Sequence, residues 1–168
     1  MRTTVLTLLL TTLLLPLSST ASEFRITAGF SPGESAVDNV MRAINSARAS
    51  IDVAAYSFTS KQIAIALDNA SKRGIRVRVV ADAKDNGGQY SAVTWMQHKG
   101  IDVRLNGRYA TQHNKFMVID GITTQTGSFN YTSSAIKRNA ENTIVIWNEP
   151  LTASAYQQEF ERLWQEGS

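Results

Sequence analysis

Two short segments of the sequence carry side chains that suit chemistry at an anionic, oxygen-rich centre. The first is His113-Asn-Lys115, which runs through an apolar stretch to Asp120, and the second is Gly127-Ser-Phe-Asn130. An imidazole can act as a nucleophile or a base, and a lysine ammonium supplies a positive charge. Hydroxyl and amide groups add neutral hydrogen bonds. Together these groups suit a tetrahedral anionic centre such as a phosphate.

The elements around these segments are predicted to bring them together. Residues 115–119 and 123–126 are predicted strands, and Asp120-Gly121 between them is a hairpin signal. Side chains two residues apart in a strand leave the same face, so we expect His113 and Lys115 on one face. The second strand then returns the Gly-Ser-x-Asn segment to the same edge of the sheet.

The rest of the chain alternates strand-like and helix-like segments, which predicts an α/β domain. The hairpin makes its β-sheet mixed, and we expect helices on both faces of the sheet, in α/β/α layers. A single domain is predicted over residues 22–168, because this length holds one core and little more. Residues 84–89 are predicted to form a loop. Further strands are predicted at 24–30, 51–57, 75–81, 102–105 and 141–147, and helices at 35–49, 91–99, 152–164 and between Ser60 and Gly74.

The first 21 residues have the layout of a secretory signal peptide. Met1-Arg2 gives a positive start, residues 5–15 are apolar apart from threonines, and Ser19-Thr20-Ala21 supplies small residues for cleavage. The apolar run is shorter than the ~20 residues that a spanning helix needs, which disfavours the alternative of a membrane anchor. We therefore expect an exported bacterial protein, periplasmic or secreted, with no stable membrane association after the signal (residues 1–21) is cleaved.

Charge is unevenly distributed along the chain, although the formal net charge is only +3. Residues 72–138 hold eleven Lys and Arg against four Asp, a local balance of +7, whereas residues 139–168 hold five Glu and one Arg, a balance of −4. A basic middle segment fits an anionic substrate that approaches the motif. A solvated surface of mixed charge would give the same composition, so charge alone does not choose between the two.

The pattern HxKxxxxD followed by GSxN resembles the HKD signature of the phospholipase D superfamily in both residue types and spacing. The size, the expected export and the single copy of the motif are similar to the small bacterial nuclease branch. The resemblance implies that His113 attacks phosphorus and forms a phosphohistidine, while a second histidine protonates the leaving group and then activates water. It also implies that Lys115 and Asn130 hold the phosphate oxygens and that Ser128 hydrogen-bonds nearby.

Three further polar residues bear on the implied mechanism. Glu141 stands where the family often places an acid that orients the histidine. Asp120 belongs to the signature, but its place in an Asp-Gly turn also suits a role in the hairpin. The other histidine of the chain, His98, lies beside Lys99 in a predicted helix without a motif around it, and we expect it at the surface. We therefore predict a symmetric homodimer in which His113 of each subunit meets at a shared site.

We expect neither a metal nor another cofactor. The chain has no cysteine, which excludes thiolate catalysis and cysteine-bound metals. Metal-dependent phosphodiesterases hold their cations with clusters of carboxylates and histidines, whereas this motif places a lysine, which repels cations, beside one histidine and one aspartate.

The expected substrate is nucleic acid, DNA or else RNA, because the basic segment surrounds the motif and no interfacial helix is predicted outside the signal. Gln112 and Asn114 are the candidates for reading bases, so we expect mostly backbone contacts and little sequence preference. Two alternatives stay open. One is a phospholipase D or cardiolipin-type hydrolase, which keeps the chemistry and changes the substrate. The other is a non-enzymatic nucleic-acid-binding protein that keeps the site as a phosphate clamp.

Overall fold

A computed structural model describes residues 23–88 and 91–168, and it contains a seven-stranded sheet. The predicted signal, residues 1–21, lies outside the described residues. None of the helices in the described ranges is long and apolar enough to cross a membrane. The strands are β1 (Arg25–Ser31), β2 (Ser50–Ala55), β3 (Arg76–Asp82), β4 (Asp102–Asn106), β5 (Lys115–Ile119), β6 (Thr123–Gly127) and β7 (Glu141–Trp147). The helices are α1 (Ser35–Ser46), α2 (Lys61–Lys72), α3 (Ala83–Asn86), α4 (Ala92–His98), α5 (Ser133–Lys137) and α6 (Pro150–Glu166).

The sheet combines a parallel half with an antiparallel half, in the order β1-β7-β6-β5-β2-β3-β4. β2, β3 and β4 run parallel and are joined by helical crossovers, as parallel neighbours require. β5, β6, β7 and β1 pair antiparallel. β2 joins the two halves, because it pairs with β3 on one side and with β5 on the other. The predicted mixed sheet is therefore confirmed.

Alternate side chains of the strands build a hydrophobic core on each face of the sheet. On one face, Val53 and Met117 belong to a large cluster with residues of α1, α2 and α4, such as Val40, Leu67 and Met96. On the other face, a smaller cluster joins the central strands to α6, with members Ala54, Val80, Phe116, Val118, Ala153, Phe160 and Leu163. Helices thus cover both faces, which confirms the predicted layers.

Two short helices differ from the sequence-based expectation. The segment predicted as a loop from residue 84 contains α3, because the buried Asp82 carboxylate accepts hydrogen bonds from the backbone N–H groups of Lys84 and Asp85. α5 was not predicted, and its first turn is capped by the Thr132 hydroxyl, which accepts from the N–H of Ala135. Both are short helices fixed by a capping side chain rather than by an apolar period, which is the signal that a sequence pattern reports.

A partly buried charged network fixes α6 across the sheet. Arg78 on β3 donates to both carboxylate oxygens of Asp52 on β2, at 2.8 and 2.9 Å, and to Glu161 on α6 at 2.6 Å. Gln157 on α6 donates a further bond to Asp52 at 2.8 Å. The guanidinium carbon of Arg78 also lies 4.8 Å from the ring centroid of Phe160. Because every charge in this network has a partner, α6 is held against β2 and β3.

Candidate active site

The polar residues of the sequence motif meet at one edge of the sheet. β2, β3 and β4 end at this edge and β5 begins there, since β5 runs antiparallel to β2. The carboxyl ends of strands, at a point where strand direction changes, are a common place for ligand binding. An open cleft of about 440 Å³ lies at this edge, and its lining includes five of the six predicted site residues, namely His113, Lys115, Ser128, Asn130 and Glu141.

His113 and Lys115 are in direct contact. His113 lies in the loop just before β5 with an exposed side chain, and Lys115 is the first residue of the strand. The Lys115 ammonium lies 3.0 Å from His113 Nδ1 and donates to the His113 backbone oxygen at 2.7 Å. An ammonium has donors only, so Nδ1 accepts this bond and the neutral ring carries its proton on Nε2. In this arrangement the Nε2–H group is a hydrogen-bond donor.

Lys115 is nearly buried, with 9 % of its surface exposed. Burial lowers its pKa below the usual value of a lysine, because the low-dielectric surroundings disfavour the charged form, and the negative charge of Glu141 raises the pKa part of the way back. The ammonium is thus held in a place where its attraction for an anion is screened less by water than on an open surface.

Glu141 forms a hydrogen-bonded cluster at the rim of the cleft. Its carboxylate accepts from the Ser128 hydroxyl at 2.6 Å and from the Asn139 side-chain amide at 2.9 Å. Ser128 Oγ accepts in turn from the backbone N–H of Asn142 at 3.1 Å. Within one chain these bonds fix Ser128, and the assignment of Glu141 as the acid that orients the histidine stays a prediction.

Gly127 allows this cluster to form, because no other residue fits its position. Its φ is +148°, and a Cβ atom there would lie 2.3 Å from the backbone oxygen of Asn142. The close approach of the two backbones at this point places Ser128 within reach of Glu141.

Asn130 completes the predicted set on the far side of the cleft. Its Oδ1 atom is buried and has no hydrogen-bond partner among the described residues. Buried polar atoms are usually paired, so unused hydrogen-bonding capacity in a side chain that lines a cleft is typical of a binding site. An amide oxygen and a phosphate oxygen are both acceptors, so only the Asn130 Nδ2 group could donate to a phosphate, and the assignment of Asn130 to the phosphate oxygens stays a prediction.

Tyr56 is a site residue that the sequence analysis missed. Its ring packs against the imidazole of His113 with 4.6 Å between ring centroids, and the Lys115 ammonium lies 5.3 Å from the same ring. Tyr56 follows directly after β2, a buried strand that ends at the catalytic edge. The position of Tyr56 directly after β2 was the signal in the sequence that could have identified it. Using that signal requires knowing that β2 pairs with β5.

Asp120 is the predicted site residue that the structure does not bring to the cleft. It follows the last residue of β5, so the whole strand separates it from Lys115. Its carboxylate accepts hydrogen bonds from the backbone N–H groups of Arg48, Ala49 and Ser50 at 2.8 to 2.9 Å. The catalytic assignment of Asp120 therefore has no geometric support, and its position indicates that it anchors the connection between α1 and β2.

The structure also changes the interpretation of the residues beside His113. Gln112 was a candidate for reading bases, but its side chain is buried with both ends of the carboxamide hydrogen-bonded inside the protein. It is therefore unable to reach a base without unfolding the loop. Asn114 is half-buried and lines the cleft, so it remains a candidate for substrate contact.

His98 lies away from the cleft, as the sequence predicted. It is exposed at the end of α4 and lines a separate groove with Trp95 and residues of α2. Among the residues that line the cleft beside β5, His113 is the only histidine.

The described part of the chain holds no group of three or more Asp, Glu or His residues close enough to share a metal ion. Cation clusters in phosphodiesterases are built from such groups. Independence from metal stays a prediction, which activity in the presence of a chelator tests.

A family profile described as "Cardiolipin synthase, PLD-like domain" matches residues 40–164. The human protein named mitochondrial cardiolipin hydrolase is 36 % identical over 82 % of this chain, and the match spans 54 % of that relative. The chain thus corresponds to about half the length of that curated relative. A protein named phospholipase D from Rickettsia prowazekii is 35 % identical over 86 % of this chain and 70 % of its own length.

Two solved structures share this fold over nearly their whole length. Nuc from Salmonella typhimurium, described as a phospholipase D family member, has a TM-score of 0.85 and 39 % identity, covering 87 % of this chain and 97 % of that one. NucT from Helicobacter pylori has a TM-score of 0.78 at 24 % identity, covering 86 % of this chain and 98 % of that one. The second match supports the fold alone, and both confirm the predicted α/β architecture.

We predict that Asp120→Ala destabilises the fold without removing catalysis. Loss of three charge-assisted hydrogen bonds should lower the free energy of unfolding by roughly 3 kcal/mol, whereas kcat of the folded protein should stay within about twofold because the carboxylate is remote from the cleft. Urea unfolding followed by tryptophan fluorescence measures the first, and turnover of a phosphodiester well below the melting temperature measures the second.

The matched control is Asp120→Asn, which keeps an acceptor oxygen and the tolerance for the positive φ of +53° at this position. It should lose less stability than the alanine variant. A fall of kcat as large as that of His113→Ala would contradict the structural assignment.

We also predict that Glu141→Gln moves the alkaline limb of the pH–rate profile to lower pH. The active form of Lys115 is the ammonium, which is lost as pH rises through its pKa. Glu141 raises that pKa, so removing its charge lowers the pKa further and the ammonium is lost sooner. The measurement is kcat/KM between neutral and strongly alkaline pH, with Ser128→Ala as the control that keeps the charge. An unchanged alkaline limb in Glu141→Gln would refute the prediction that Glu141 supports the charged form of Lys115 during catalysis.

Proposed function

Because this chain belongs to the PLD-like domain family of the phospholipase D superfamily, we propose that it is a metal-independent phosphodiesterase that cleaves DNA, with RNA as the alternative nucleic acid, as a non-specific endonuclease. The observation that carries the proposal is the contact between His113 and Lys115 in an open cleft. An exposed imidazole beside a nearly buried ammonium suits nucleophilic attack on a phosphodiester.

The chemistry follows a two-step displacement. First, an imidazole nitrogen of one His113 bonds to phosphorus while the bond from phosphorus to the leaving oxygen breaks, and a second histidine gives that oxygen a proton. Then this second histidine takes a proton from water, and the water oxygen displaces the first histidine from phosphorus. Lys115 and Asn130 stabilise the negative charge on the phosphoryl oxygens in both steps. The second histidine must be an imidazolium when it protonates the leaving oxygen, and the nucleophilic histidine must have a nitrogen with a free lone pair.

Exposed cations around the cleft favour a polynucleotide over a single lipid headgroup. They come from the turns and short helices that leave the catalytic edge, and within residues 23–88 and 91–168 they form no ion pair: Lys61, Lys84, Lys137 and Arg138. Three exposed carboxylates, Glu34, Asp38 and Asp85, lie at the starts of helices near the same edge. The surplus of positive charge matches a chain of phosphates, each of which releases counterions on binding, whereas one lipid phosphate occupies only the centre of the cleft.

The mechanism needs two histidines and the cleft of one chain supplies one, so we propose a homodimer. An apolar surface on the α6 side of the sheet supports it. Although α6 packs across β2 to β6, the same face of β1 and β7 is open to solvent. Ile26 is 58 % exposed, Phe30 63 % and Ile144 37 %. We call Ile26, Phe30 and Ile144 the open face. Exposed apolar patches of this kind mark interaction surfaces.

The open face borders the cleft. Phe30 pairs with Asn142 across β1 and β7, and the Asn142 backbone N–H donates to Ser128 Oγ at the cleft rim. A second copy seated on the open face by a two-fold axis would bring its own His113 near the first, since such an interface repeats the same contacts on both sides.

We also propose that the protein is exported to the periplasm or the medium.

The alternative substrate is a phospholipid. The names of the curated relatives, cardiolipin hydrolase and phospholipase D, favour it, and the open face could contact lipid instead of a second subunit. The third candidate is a nucleic-acid-binding protein in which the same cleft binds phosphate but does not cleave the phosphodiester.

We predict that the purified protein nicks supercoiled plasmid DNA in excess EDTA. His113→Ala should lower the rate about 10²- to 10⁴-fold, because the nucleophile is lost, whereas the matched control His98→Ala should cut normally, because this histidine lies in another groove. Gel electrophoresis of the plasmid measures the rate. Intact plasmid alongside hydrolysis of cardiolipin vesicles would establish the lipid alternative, and DNA that is retarded but never cut would establish the clamp.

We predict that the double variant Ile26→Asp/Phe30→Asp is a folded monomer that has lost at least about 100-fold in activity. Charges on the open face oppose its burial in a dimer, and the monomer has one histidine in its cleft. Sedimentation velocity measures the mass, and circular dichroism checks the fold. Leu151→Asp is the control, since it adds one charge of the same kind at an exposed apolar position on α6. Full activity of a monomeric double variant would refute the shared site.

A further inference from the structure

We propose that Gln112 is a positioning residue that fixes the direction of the His113 imidazole through the backbone on both sides of it. Only 2 % of the surface of Gln112 is exposed. The inference rests on the proposed phosphodiester chemistry, and it does not depend on whether the natural substrate is a nucleic acid or a lipid.

Gln112 holds the chain before and after His113. Its side-chain amide donates to the Ala55 backbone oxygen at 3.2 Å, and its side-chain oxygen accepts from the Asn114 backbone N–H at 2.7 Å. Its own backbone N–H donates to the Asp82 carboxylate at 2.8 Å. The peptide group before Gln112 is therefore tied to β3, and the peptide group after His113 is tied through the Gln112 side chain to β2.

One of these bonds ties the loop to the end of a central strand. The last backbone pair between β2 and β5 joins Ala55 to Lys115. Residues 107–114 belong to no strand, and the Gln112 carboxamide binds this segment to the Ala55 backbone oxygen at the end of β2. Loops are ordinarily more mobile than the strands that they join, and this side chain gives the catalytic loop the support of the strand.

The same network fixes the ring that packs on His113. Asp82 Oδ1 accepts from the N–H groups of α3, at 3.0 Å from Lys84. The buried Asn86 side chain donates to the backbone oxygens of Asp82 and Tyr56 and accepts from the Phe58 N–H at 3.0 Å. It therefore holds Tyr56 in the position from which its ring contacts the imidazole.

His113 depends on this support because its own side chain has few contacts. The imidazole is exposed, packs against Tyr56 and hydrogen-bonds to Lys115. Its direction is set by the backbone that carries it, and an error of ~1 Å in the position of a nucleophile can cost ~10²-fold in rate. A buried carboxamide is thus placed where a small change of geometry affects turnover more than it affects folding.

The test compares Gln112→Met with Gln125→Met. Gln125 is a second glutamine with no exposed surface, and it hydrogen-bonds to Tyr131 rather than to the His113 loop. The substrate is bis(4-nitrophenyl) phosphate, an activated phosphodiester. Its hydrolysis does not depend on recognition of a nucleic acid or a lipid. Gln112→Met should lower kcat roughly 10- to 100-fold, as the loss of an orienting partner does at other sites, with KM within about twofold. Gln125→Met should keep kcat within about twofold.

A conservative variant separates positioning from packing. In Gln112→Glu the protonated carboxyl has both a donor and an acceptor, whereas the carboxylate has acceptors only and loses the bond to Ala55. Its kcat relative to the unsubstituted protein should therefore rise as pH falls. The imidazole resonances of His113 in two-dimensional NMR, and their NOEs to Tyr56, should change in Gln112→Met and not in Gln125→Met.

Each outcome of these experiments either supports or overturns the positioning role of Gln112. Unchanged kcat and unchanged His113 resonances in Gln112→Met would overturn the proposal, and so would equal losses in the two methionine variants. If the unsubstituted protein hydrolyses no phosphodiester, the proposed function fails, and the NMR comparison still tests positioning by itself. If Gln112→Met does not fold, the pH dependence of Gln112→Glu gives the answer, and a flat ratio across pH would refute the role.

Discussion

The antiparallel pairing of β2 with β5 is the constraint on which the site depends. Its last pair joins Ala55 to Lys115, so the ammonium stands at the end of the ladder, nearly buried yet next to the cleft. β2 also pairs with β3, which ties the motif to the loops that supply Tyr56 and the buried network around Gln112. The site therefore belongs to the junction between the parallel and antiparallel halves of the sheet, and neither half could build it alone.

Features that depend on local pattern could be predicted from the sequence, and features that depend on pairing could not. Strand periodicity and the Asp-Gly hairpin predicted that His113, Lys115 and the Gly-Ser-x-Asn segment share an edge. The burial of Gln112 depends on a bond to a residue 57 positions away, and the contact of Tyr56 depends on the same register. A sequence pattern specifies which face a residue takes within its strand, but not which strand lies beside it.

The folded structure also changes how the charge distribution along the sequence is interpreted. Part of the basic middle segment is used inside the structure, since Arg78 pairs with Asp52 and Glu161, and Arg104 donates to the backbone oxygen of Trp164. The exposed cations proposed to meet a substrate also include Lys61, the first residue of α2, which lies outside that segment. Topology, rather than the position of a charge along the chain, decides which charges a substrate meets.

The place of Asp120 gives the motif a second meaning. The signature begins just before β5 and ends just after it, with Lys115 at one end of the strand and Asp120 bound to the α1–β2 connection at the other. The fixed spacing between the lysine and the aspartate therefore corresponds to the length of one strand of five residues. An insertion or deletion within β5 would turn one end residue to the opposite face. A sequence search with the complete signature thus selects chains with the right strand length, and it would miss a relative that keeps the fold after losing the histidine or the lysine.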